Sequence, residues 1–330
     1  MALVIADLIT EFEAHYEERG NASDLLTRFT RKSVTEHTYT DYATTNRTIV
    51  RKVNSLVTRV LQRQQKGWTP IGTTQFFPEE IVLDNLKVNV EEIPKELEES
   101  WLGFLIDSSL DPRNVPFTSW WLNQLVLPAL EADFEKNEIY HGVQGVITPG
   151  TATAASTSMN GYKKRLNDYI AAGKTVPFVM GPPPVTAVAF YDYVADFCSR
   201  IPVELLGELE PIKLSESNGR LFTEGKDIKY NGNYLRDGEA LKVHNYPVRI
   251  VSHKGGEGSD IIAGLPSMAG SSKIYTTFRG NSVFRRKKPE NAKIFELEKQ
   301  YLTLRAFTDF YVGLGNWIPQ LVFTNNVELV

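Results

Sequence analysis

The spacing of apolar residues along the chain predicts a mixture of amphipathic helices and short strands. Apolar side chains three and four residues apart are typical of a helix with one buried face, and alternation is typical of a strand. Helical spacing is found at residues 3–19, 94–105, 118–140, 162–170 and 186–201. Strand-like alternation is found at 81–90, 273–278, 282–284, 294–307 and 321–323, whereas 49–61 fits a strand or a short helix. The predicted fold class is α+β.

The strongest helical pattern runs from Thr118 to Tyr140, with an apolar stripe through Trp121, Leu125, Leu130 and Phe134. Thr118 or Ser119 is placed to cap the first turn, and Pro128 predicts a kink. A helix of this length spans about 35 Å.

A glycine-rich stretch, 142–161, follows the long helix without any periodicity, which predicts a surface loop. Asn160 is expected to cap the next helix, which Gly173 closes, and Thr186 the helix after that. The run Pro182-Pro183-Pro184 predicts a rigid joint and a domain boundary.

Residues 212–262 lack the long helical patterns of the preceding part of the chain and are rich in turn-forming pairs. Three pairs that favour tight turns, Asn218-Gly219, Asn231-Gly232 and Asp237-Gly238, divide the stretch into short segments. This pattern predicts short β segments connected by turns.

Two segments carry opposite charge. The net charge of residues 21–66 is +6 and that of residues 79–99 is −6. The positive segment has few large apolar residues between Thr35 and Thr48, so it buries little surface of its own and is expected to lie against something else. The opposite charges indicate opposed surfaces, although two unrelated solvated faces explain them equally well. A further basic cluster, 285–288, is interpreted as a solvated turn or as a contact with phosphate or with an acidic neighbour.

Composition excludes several classes of protein. The chain of 330 residues has a net charge of −4, which gives no basic field of the kind that DNA- and RNA-binding proteins use. A single cysteine, Cys198, excludes an intrachain disulfide framework and any multi-cysteine metal site. The apolar runs are too short to span a membrane, and the first residues lack the basic region of a signal peptide. These features predict a soluble protein of a reducing compartment.

Catalytic motifs are absent from the sequence. The segments around Gly173-Lys174-Thr175 and Gly225-Lys226 resemble phosphate loops but lack the required spacing, and the glycine pairs near 256 and 313 lack the third glycine of a dinucleotide site. The five histidines are dispersed, and no nucleophile elbow is present. The sequence therefore predicts no enzyme and no cofactor or metal, although carboxylates assembled in space, as in a hydrolase, stay open as an alternative.

The order of the elements resembles the HK97 fold of the major capsid proteins of tailed bacteriophages. The chain presents an extended arm, a charged ribbon, a long helix, a glycine-rich loop, an α/β module after the prolines, and a return to long strands. The resemblance is most specific at 134–142, similar to the end of the family's spine helix, at 264–281, similar to the re-entry into a peripheral strand, and at 304–313, similar to the closing strands.

The resemblance implies four parts: an N-terminal arm (1–33), an extended loop (34–100), a peripheral domain (101–185 and 265–330) and an axial domain (186–264). It implies a structural protein that forms the hexamers and pentamers of an icosahedral phage head enclosing double-stranded DNA. The expected partners are other copies, portal, scaffolding and head-completion or decoration proteins, and packaged DNA without sequence specificity, with no membrane. The expected location is the virion, assembled in the host bacterial cytoplasm.

In such a shell the oppositely charged segments would meet between subunits. The candidate inter-subunit residues are Arg47, Arg51, Lys52, Arg59, Arg63, Glu79, Glu80, Glu91, Glu92, Arg285 and Arg286. No residue pair for covalent cross-linking is identified. Another virion component, such as a tail protein or an encapsulin-like shell, remains the alternative within the structural class.

Overall fold

The structure is a computed structural model that describes residues 8, 41–57, 60–68, 70–108, 115–202, 205, 209–210, 212–230, 265–278, 280–287 and 296–329. The helix expected at 3–19 lies outside the described residues except for Leu8, which is helical and buried. The described strands are β1 (Asp41–Thr45), β2 (Ile49–Val57), β3 (Thr74–Val82), β4 (Asp84–Glu92), β5 (Tyr275–Thr277), β6 (Ser282–Lys287), β7 (Glu296–Gln300), β8 (Thr303–Asn316) and β9 (Val322–Thr324).

The described helices are α1 (Pro94–Asp107), α2 (117–138), α3 (Tyr162–Ala171), α4 (Ala187–Ser199) and α5 (Glu216–Tyr230). The predicted helices at 94–105, 162–170 and 186–201 are confirmed. Gly173 follows α3 with a φ of +67°, the left-handed conformation that a helix-closing glycine adopts. Gly161, and not Asn160, is the N-cap of α3. Thr186 is the N-cap of α4, as predicted, but within the described part of the chain its side chain makes no capping hydrogen bond.

The strands form three sheets. The largest has five strands in the order β1-β6-β8-β4, with β7 also paired to β8. Strands β1 and β6 are parallel, and the other pairs of this sheet are antiparallel. Strands β2 and β3 form a separate antiparallel pair, as do β5 and β9.

The long helix α2 is confirmed, but it alternates between α-helical and π-helical turns. Its segments are Phe117–Trp120 (α), Trp121–Val126 (π), Leu127–Asp133 (α) and Phe134–Glu138 (π). Pro128 stands at the start of the second α segment, directly after a π turn in which the Leu127 N–H bonds the carbonyl of Leu122. Proline has no N–H to donate, and the wider turn accommodates that loss.

The start of α2 differs from the prediction. The helix begins at Phe117 after Pro116, and no side chain of the described residues caps it. Thr118 and Ser119 lie inside the first turn and are buried. The loop expected at 142–161 is confirmed, and it is tied to the end of α2 by the buried Glu138 carboxylate, which accepts hydrogen bonds from the N–H groups of Ser158 and Met159.

The prediction of β segments after residue 212 is wrong for 216–230, which form α5. The predicted turn pair Asn218-Gly219 lies within α5, and Gly225 of the same helix serves packing. A Cβ on Gly225 would lie 2.0 Å from the carbonyl oxygen of Ala187, so glycine allows α5 to approach α4 closely. Phe222 of α5 is fully buried against Tyr191 of α4. The turn pairs at 231–232 and 237–238 lie outside the described residues.

The alternation predicted over 294–307 is broken in the structure. A turn at Tyr301 and Leu302 separates β7 from β8, and Tyr301 adopts a φ of +54°. A period of two continues through such a turn when no glycine or asparagine marks it, which explains the error. The break predicted at Gly280-Asn281 is confirmed, with Gly280 at a φ of +77°.

The described residues form three apolar clusters in the core. The first joins α1, α2 and α3 to the large sheet, with Trp121, Tyr162 and Phe284 among its buried residues. The second surrounds α4 and α5, and Phe178, Ile274 and Phe323 also contribute to it. The third is small and consists of Ile81, Leu83, Val283 and Trp317, with Val50, Tyr311 and Ile318 at its edge.

Candidate assembly surface

The β2–β3 hairpin, residues 49–82, is a two-stranded sheet of its own. Its register runs from Ile49 opposite Val82 to Val57 opposite Thr74. Nine residues of strand span about 30 Å. A two-stranded sheet has marginal stability unless one of its faces is packed. The stability of the hairpin therefore depends on what packs against its two faces.

The inner face of the hairpin packs on the large sheet near its base. Val50 contacts the third apolar cluster, the Lys52 ammonium lies 5.3 Å from the centre of the Trp317 ring, and the Asn54 amide donates to the Trp317 carbonyl. On the neighbouring strand Glu79 is buried and accepts hydrogen bonds from the Lys174 ammonium at 2.8 and 2.9 Å. These contacts hold the base of the hairpin against the body.

The outer face of the hairpin carries apolar side chains that are exposed to solvent. Val53 is 60% exposed and Phe76 is 66% exposed, and Ile49 and Val82 are exposed as well. Alternation along the two strands places these four side chains on the same face as the Arg51–Glu80 ion pair. An apolar sheet face bordered by charge is typical of a surface that binds another protein.

The hairpin tip, defined as the described residues within 60–73, is more exposed still. Trp68 is 92% exposed, Leu61 is 81% exposed, and Val60 is exposed too. Arg63 and Lys66 are the charged residues of the segment, and both are exposed. The tip therefore combines large apolar side chains with positive charge.

The structure places the predicted charged residues in several different environments. Arg51 pairs with Glu80 at 3.4 Å and Arg305 with Glu91 at 2.7 Å, both within the chain. Glu92 accepts from the N–H of Ile93. Exposed pairs of this kind contribute about 0–1 kcal/mol each.

The remaining candidate inter-subunit residues lie in separate places, except that Arg285 and Lys52 contact the same tryptophan ring. Arg285 lies 5.2 Å from the centre of the Trp317 ring, so it meets the same indole as Lys52 of the hairpin. Arg286 lies opposite Thr44 in the parallel β1–β6 pair. Arg47 and Arg63 are exposed, and Arg59 lies outside the described residues.

Helix α3 contacts the start of β4, next to the hairpin base, through charge. The Arg165 guanidinium lies 3.6 Å from the Asp84 carboxylate, which also accepts from the N–H of Asn160. Burial raises the pKa of Asp84, and the hydrogen bond and Arg165 act in the opposite direction. This contact could not be predicted from the sequence, because Asp84 and Arg165 lie on elements far apart in the chain.

A buried polar cluster beneath the C-terminal segment was also missed by the sequence analysis. The Lys273 ammonium donates to the Asn167 side chain at 3.0 Å and to the Val327 carbonyl at 2.9 Å. Burial lowers the pKa of Lys273 to about 8. The Glu328 carboxylate accepts from Lys163 at 2.8 Å and from Ser271 at 3.0 Å, and these partners lower its pKa although burial acts against them.

Glu135 lies on the second π segment of α2, and its buried carboxyl group differs from that of Glu328 in its hydrogen bonding. Among the residues that the structure describes, neither of its side-chain oxygens has a hydrogen-bond partner. Burial, with the neighbouring charge of Glu131, raises the pKa of Glu135 to about 8. The group is therefore largely protonated at neutral pH.

The described residues contain no arrangement that indicates catalysis. No group of three or more metal-ligating side chains occurs among them. Cys198 is fully buried, and burial raises the pKa of its thiol to about 12, which makes it a poor nucleophile. His141 shares a hydrogen bond with the Ala269 carbonyl, and burial lowers its pKa. No helix in the described part of the chain is long and apolar enough to cross a membrane.

Comparison with solved structures finds chains from phage and GTA particles. A chain of the satellite phage P4 procapsid including size determination (Sid) protein gives a TM-score of 0.54 at 10% identity, over 96% of this chain and 95% of that chain. A chain of the capsid of Myoviridae phage XM1 gives 0.47 at 14% identity, over 86% and 88%. A chain of the capsid of an empty GTA particle gives 0.46 at 12% identity, over 86% and 93%. No protein-family model and no curated protein matches the sequence.

The P4 comparison carries the fold assignment, because it covers nearly the full length of both chains. At 10% identity it is evidence for the fold alone. The mixed helix and sheet architecture predicted from the sequence is confirmed. The predicted resemblance of this chain to phage capsid proteins is confirmed at the level of the fold. The chain has the fold of phage capsid structures, as its resemblance to the HK97-type major capsid proteins implied.

Proposed function

We propose that this chain is a major capsid protein that assembles into the hexamers and pentamers of an icosahedral phage head around double-stranded DNA. The observation that supports this proposal most is a capsid-type fold whose β2–β3 hairpin leaves its apolar outer face exposed. Burial of apolar surface is the main driving force of association, and exposed Phe76 and Trp68 provide such surface. The chain acts as a structural protein and not as an enzyme.

We assign each part of the proposed capsid protein to a range of residues. Helix α2 takes the place of the spine helix, residues 1–33 form the arm, and 186–264 form the axial domain. Residues 101–185 and 265–330 form the peripheral domain. Within the proposed extended-loop region of 34–100, β1 and β4 pair with strands of the large sheet, so the projecting part is confined to about 46–83.

The proposed partners follow from the shell. Other copies of this chain are the first partner, and portal, scaffolding and head-completion or decoration proteins are the others. A net charge of −4 suits a shell that encloses DNA without binding its sequence. The proposed location is the virion, after assembly in the bacterial cytoplasm.

Electron microscopy of the purified protein tests the function. We expect rings of five and six copies or closed shells in negative stain. Open tubes would favour a tail component, closed shells without DNA in the producing cell would favour an encapsulin-like compartment, and a monodisperse 37 kDa monomer at high concentration would contradict any assembly role.

Charge reversal tests the proposed inter-subunit role of the basic residues. The triple variant Arg51→Glu, Lys52→Glu, Arg59→Glu is expected to assemble less well at low salt, and added salt is expected to narrow the difference from the parent. Unchanged assembly at both low and high salt would contradict the role of these residues whatever the fold. Lys164→Glu on the exposed surface of α3 is the matched control.

A further inference from the structure

Residues 325–328, which directly follow β9, are hydrogen-bonded to several separate parts of the chain, and we call them the strap. Their partners lie in 178–181, in 271–274, on α3 and on α4. The proposed function assigns α3 to the peripheral domain and α4 to the axial domain, and the chain crosses between these domains near 181–186 and near 264–272. A very short segment therefore contacts both domains and both crossings.

The first crossing is held by Asn326. Its side-chain oxygen accepts hydrogen bonds from the N–H groups of Met180 and Gly181 at 3.0 and 3.1 Å, and its own N–H donates to the Phe178 carbonyl at 3.0 Å. Gly181 has a φ of +75°, and among the described residues a Cβ at this position would meet nothing within 4 Å. The backbone conformation, and not close packing, therefore explains this glycine, as is typical of a hinge position.

The second crossing is held by Glu328 in a similar way. Its carboxylate accepts hydrogen bonds from the Ser271 hydroxyl at 3.0 Å and from the N–H of Ser272. The residue before them, Gly270, has a φ of +76°, and a Cβ there would also meet nothing within 4 Å among the described residues. Each crossing thus contains a left-handed glycine, and the strap binds a backbone N–H within two residues of it.

The strap also joins a helix of each domain. The Asn325 amide donates to the Tyr193 hydroxyl of α4 at 3.0 Å, and that hydroxyl donates to the Gly181 carbonyl at 2.9 Å. On the other side the Glu328 carboxylate accepts from the Lys163 ammonium of α3 at 2.8 Å. Two chain crossings alone would permit rotation about the line that connects them, and contacts to a helix of each domain oppose that rotation.

The strap is held in a conformation that is unfavourable by itself. Glu328 has a φ of +54°, a left-handed conformation that residues other than glycine rarely adopt. The Val327 carbonyl accepts a hydrogen bond at 2.9 Å from the ammonium of Lys273, a lysine that is fully buried. Strained conformations persist only where the surroundings determine them, and they occur often in segments that switch. Loss of the surrounding bonds is therefore expected to release the strap.

We propose that the strap is a lock that fixes the angle between the axial and peripheral domains, and that its release frees the joint at Gly181 and Gly270. This inference rests on the proposed function, which supplies the two domains, and adds a conformational control to them. In the proposed shell the same chain fits rings of five and rings of six copies. A fixed domain angle is therefore expected to restrict the curvature of the shell.

Pulsed electron paramagnetic resonance of the unassembled chain tests the lock. Spin labels are attached at Ala132→Cys on α2 and at Asp227→Cys on α5, which are exposed positions in the proposed peripheral and axial domains. The native Cys198 is fully buried and stays unlabelled. The parent is expected to give one narrow distance distribution. The double variant Asn326→Ala, Glu328→Ala is expected to give a distribution that is wider by about twofold or more, because both hinges are free.

Leu329→Ala is the matched control, because this exposed residue directly follows the strap. It is expected to leave the distribution as narrow as in the parent. Equal widths in the parent and in a folded double variant would overturn the lock, and so would equal widening in the control. If the double variant does not fold, Asn326→Ala alone replaces it, with a smaller widening expected and an unchanged width again overturning the lock. A broad distribution in the parent itself also overturns it.

Particle size separates the lock from the shell function. Electron microscopy is expected to show shells of one diameter from the parent and of several diameters from the double variant. Widening of the distance distribution without any change in shell diameter would overturn the role of the lock in curvature. Absence of particles from the parent, with the widening present, would contradict the shell function and leave the lock standing.

Discussion

The five-stranded sheet with α2 and the β2–β3 hairpin differ in where their apolar side chains find cover. In the body, Phe284 of β6 is fully buried and its ring lies 6.4 Å from that of Phe134 in α2. In the hairpin, Phe76 stands on a strand of similar alternation and is 66% exposed. Alternation gives the same pattern in both places, so the pattern alone does not tell which face has a partner within the chain.

The same contrast holds for charge. The body buries ionic groups in satisfied clusters, such as Lys273 with Asn167 and the Val327 carbonyl. The hairpin keeps its Arg51–Glu80 pair in solvent. The body is therefore expected to respond to substitution through its own stability, and the hairpin through assembly.

The largest expected effect is a loss of stability in the body. Phe284→Ala removes a fully buried ring and is expected to lower the free energy of unfolding by about 3–5 kcal/mol. Phe76→Ala, the same substitution on the hairpin, is expected to cost less than about 1 kcal/mol. Denaturant titration of the unassembled chains measures both values, and equal losses would remove the distinction between the regions.

A smaller loss is expected at the buried lysine. Lys273→Met leaves the oxygens of Asn167 and Val327 without their donor and is expected to cost about 2–4 kcal/mol. Lys163→Met removes a more exposed cation from the neighbouring Glu328 and is expected to cost about 1 kcal/mol or less. If the Lys273→Met variant is as stable as the parent, the cluster makes no net contribution to the free energy of unfolding.

A gain in stability is expected at Glu135. Its pKa in the folded chain, about 8, lies above the usual value of 4.5. The folded state therefore binds the proton more tightly than the unfolded state, and this stabilisation is complete below about pH 4.5 and is lost as the pH rises through 8.

Glu135→Gln removes this pH dependence. At pH 9 the variant is expected to be about 1–3 kcal/mol more stable than the parent, because no charge is buried, and the difference is expected to shrink toward pH 4.5. Glu224→Gln, at an exposed carboxylate on α5, is the control. A difference that does not change between pH 4.5 and 9 would contradict the account.

The smallest effect on the chain itself is expected at the exposed ion pair. Arg51→Ala is expected to change the free energy of unfolding by about 0–1 kcal/mol, since both side chains are at least half exposed. Thermal unfolding of the unassembled chain measures the change. A loss comparable to that of Phe284→Ala would mean that the hairpin is part of the cooperative core.

The sequence predicted what depends on local pattern. The α2 stripe through Trp121 and Phe134, the helix that starts at Pro94, and the turn at Gly280 are all present in the structure. It failed where packing overrides local preference: Asn218-Gly219 lies in α5 because Phe222 and Gly225 fit against α4.

The candidate surface was predicted only in part. The charge of the 21–66 and 79–99 segments drew attention to the hairpin, but the exposed side chains of Trp68 and Phe76 were not singled out, because exposure is set by tertiary contacts. The pairing of Glu79 with Lys174, across 95 residues of sequence, could not be inferred from spacing.

Hydroxyl-radical footprinting of the unassembled chain and of assembled particles tests most directly that the hairpin is covered only by another copy. The account predicts at least tenfold protection of Trp68 and Phe76 on assembly, with the buried Phe284 unreactive in both states. Equal reactivity of Trp68 and Phe76 before and after assembly would contradict it.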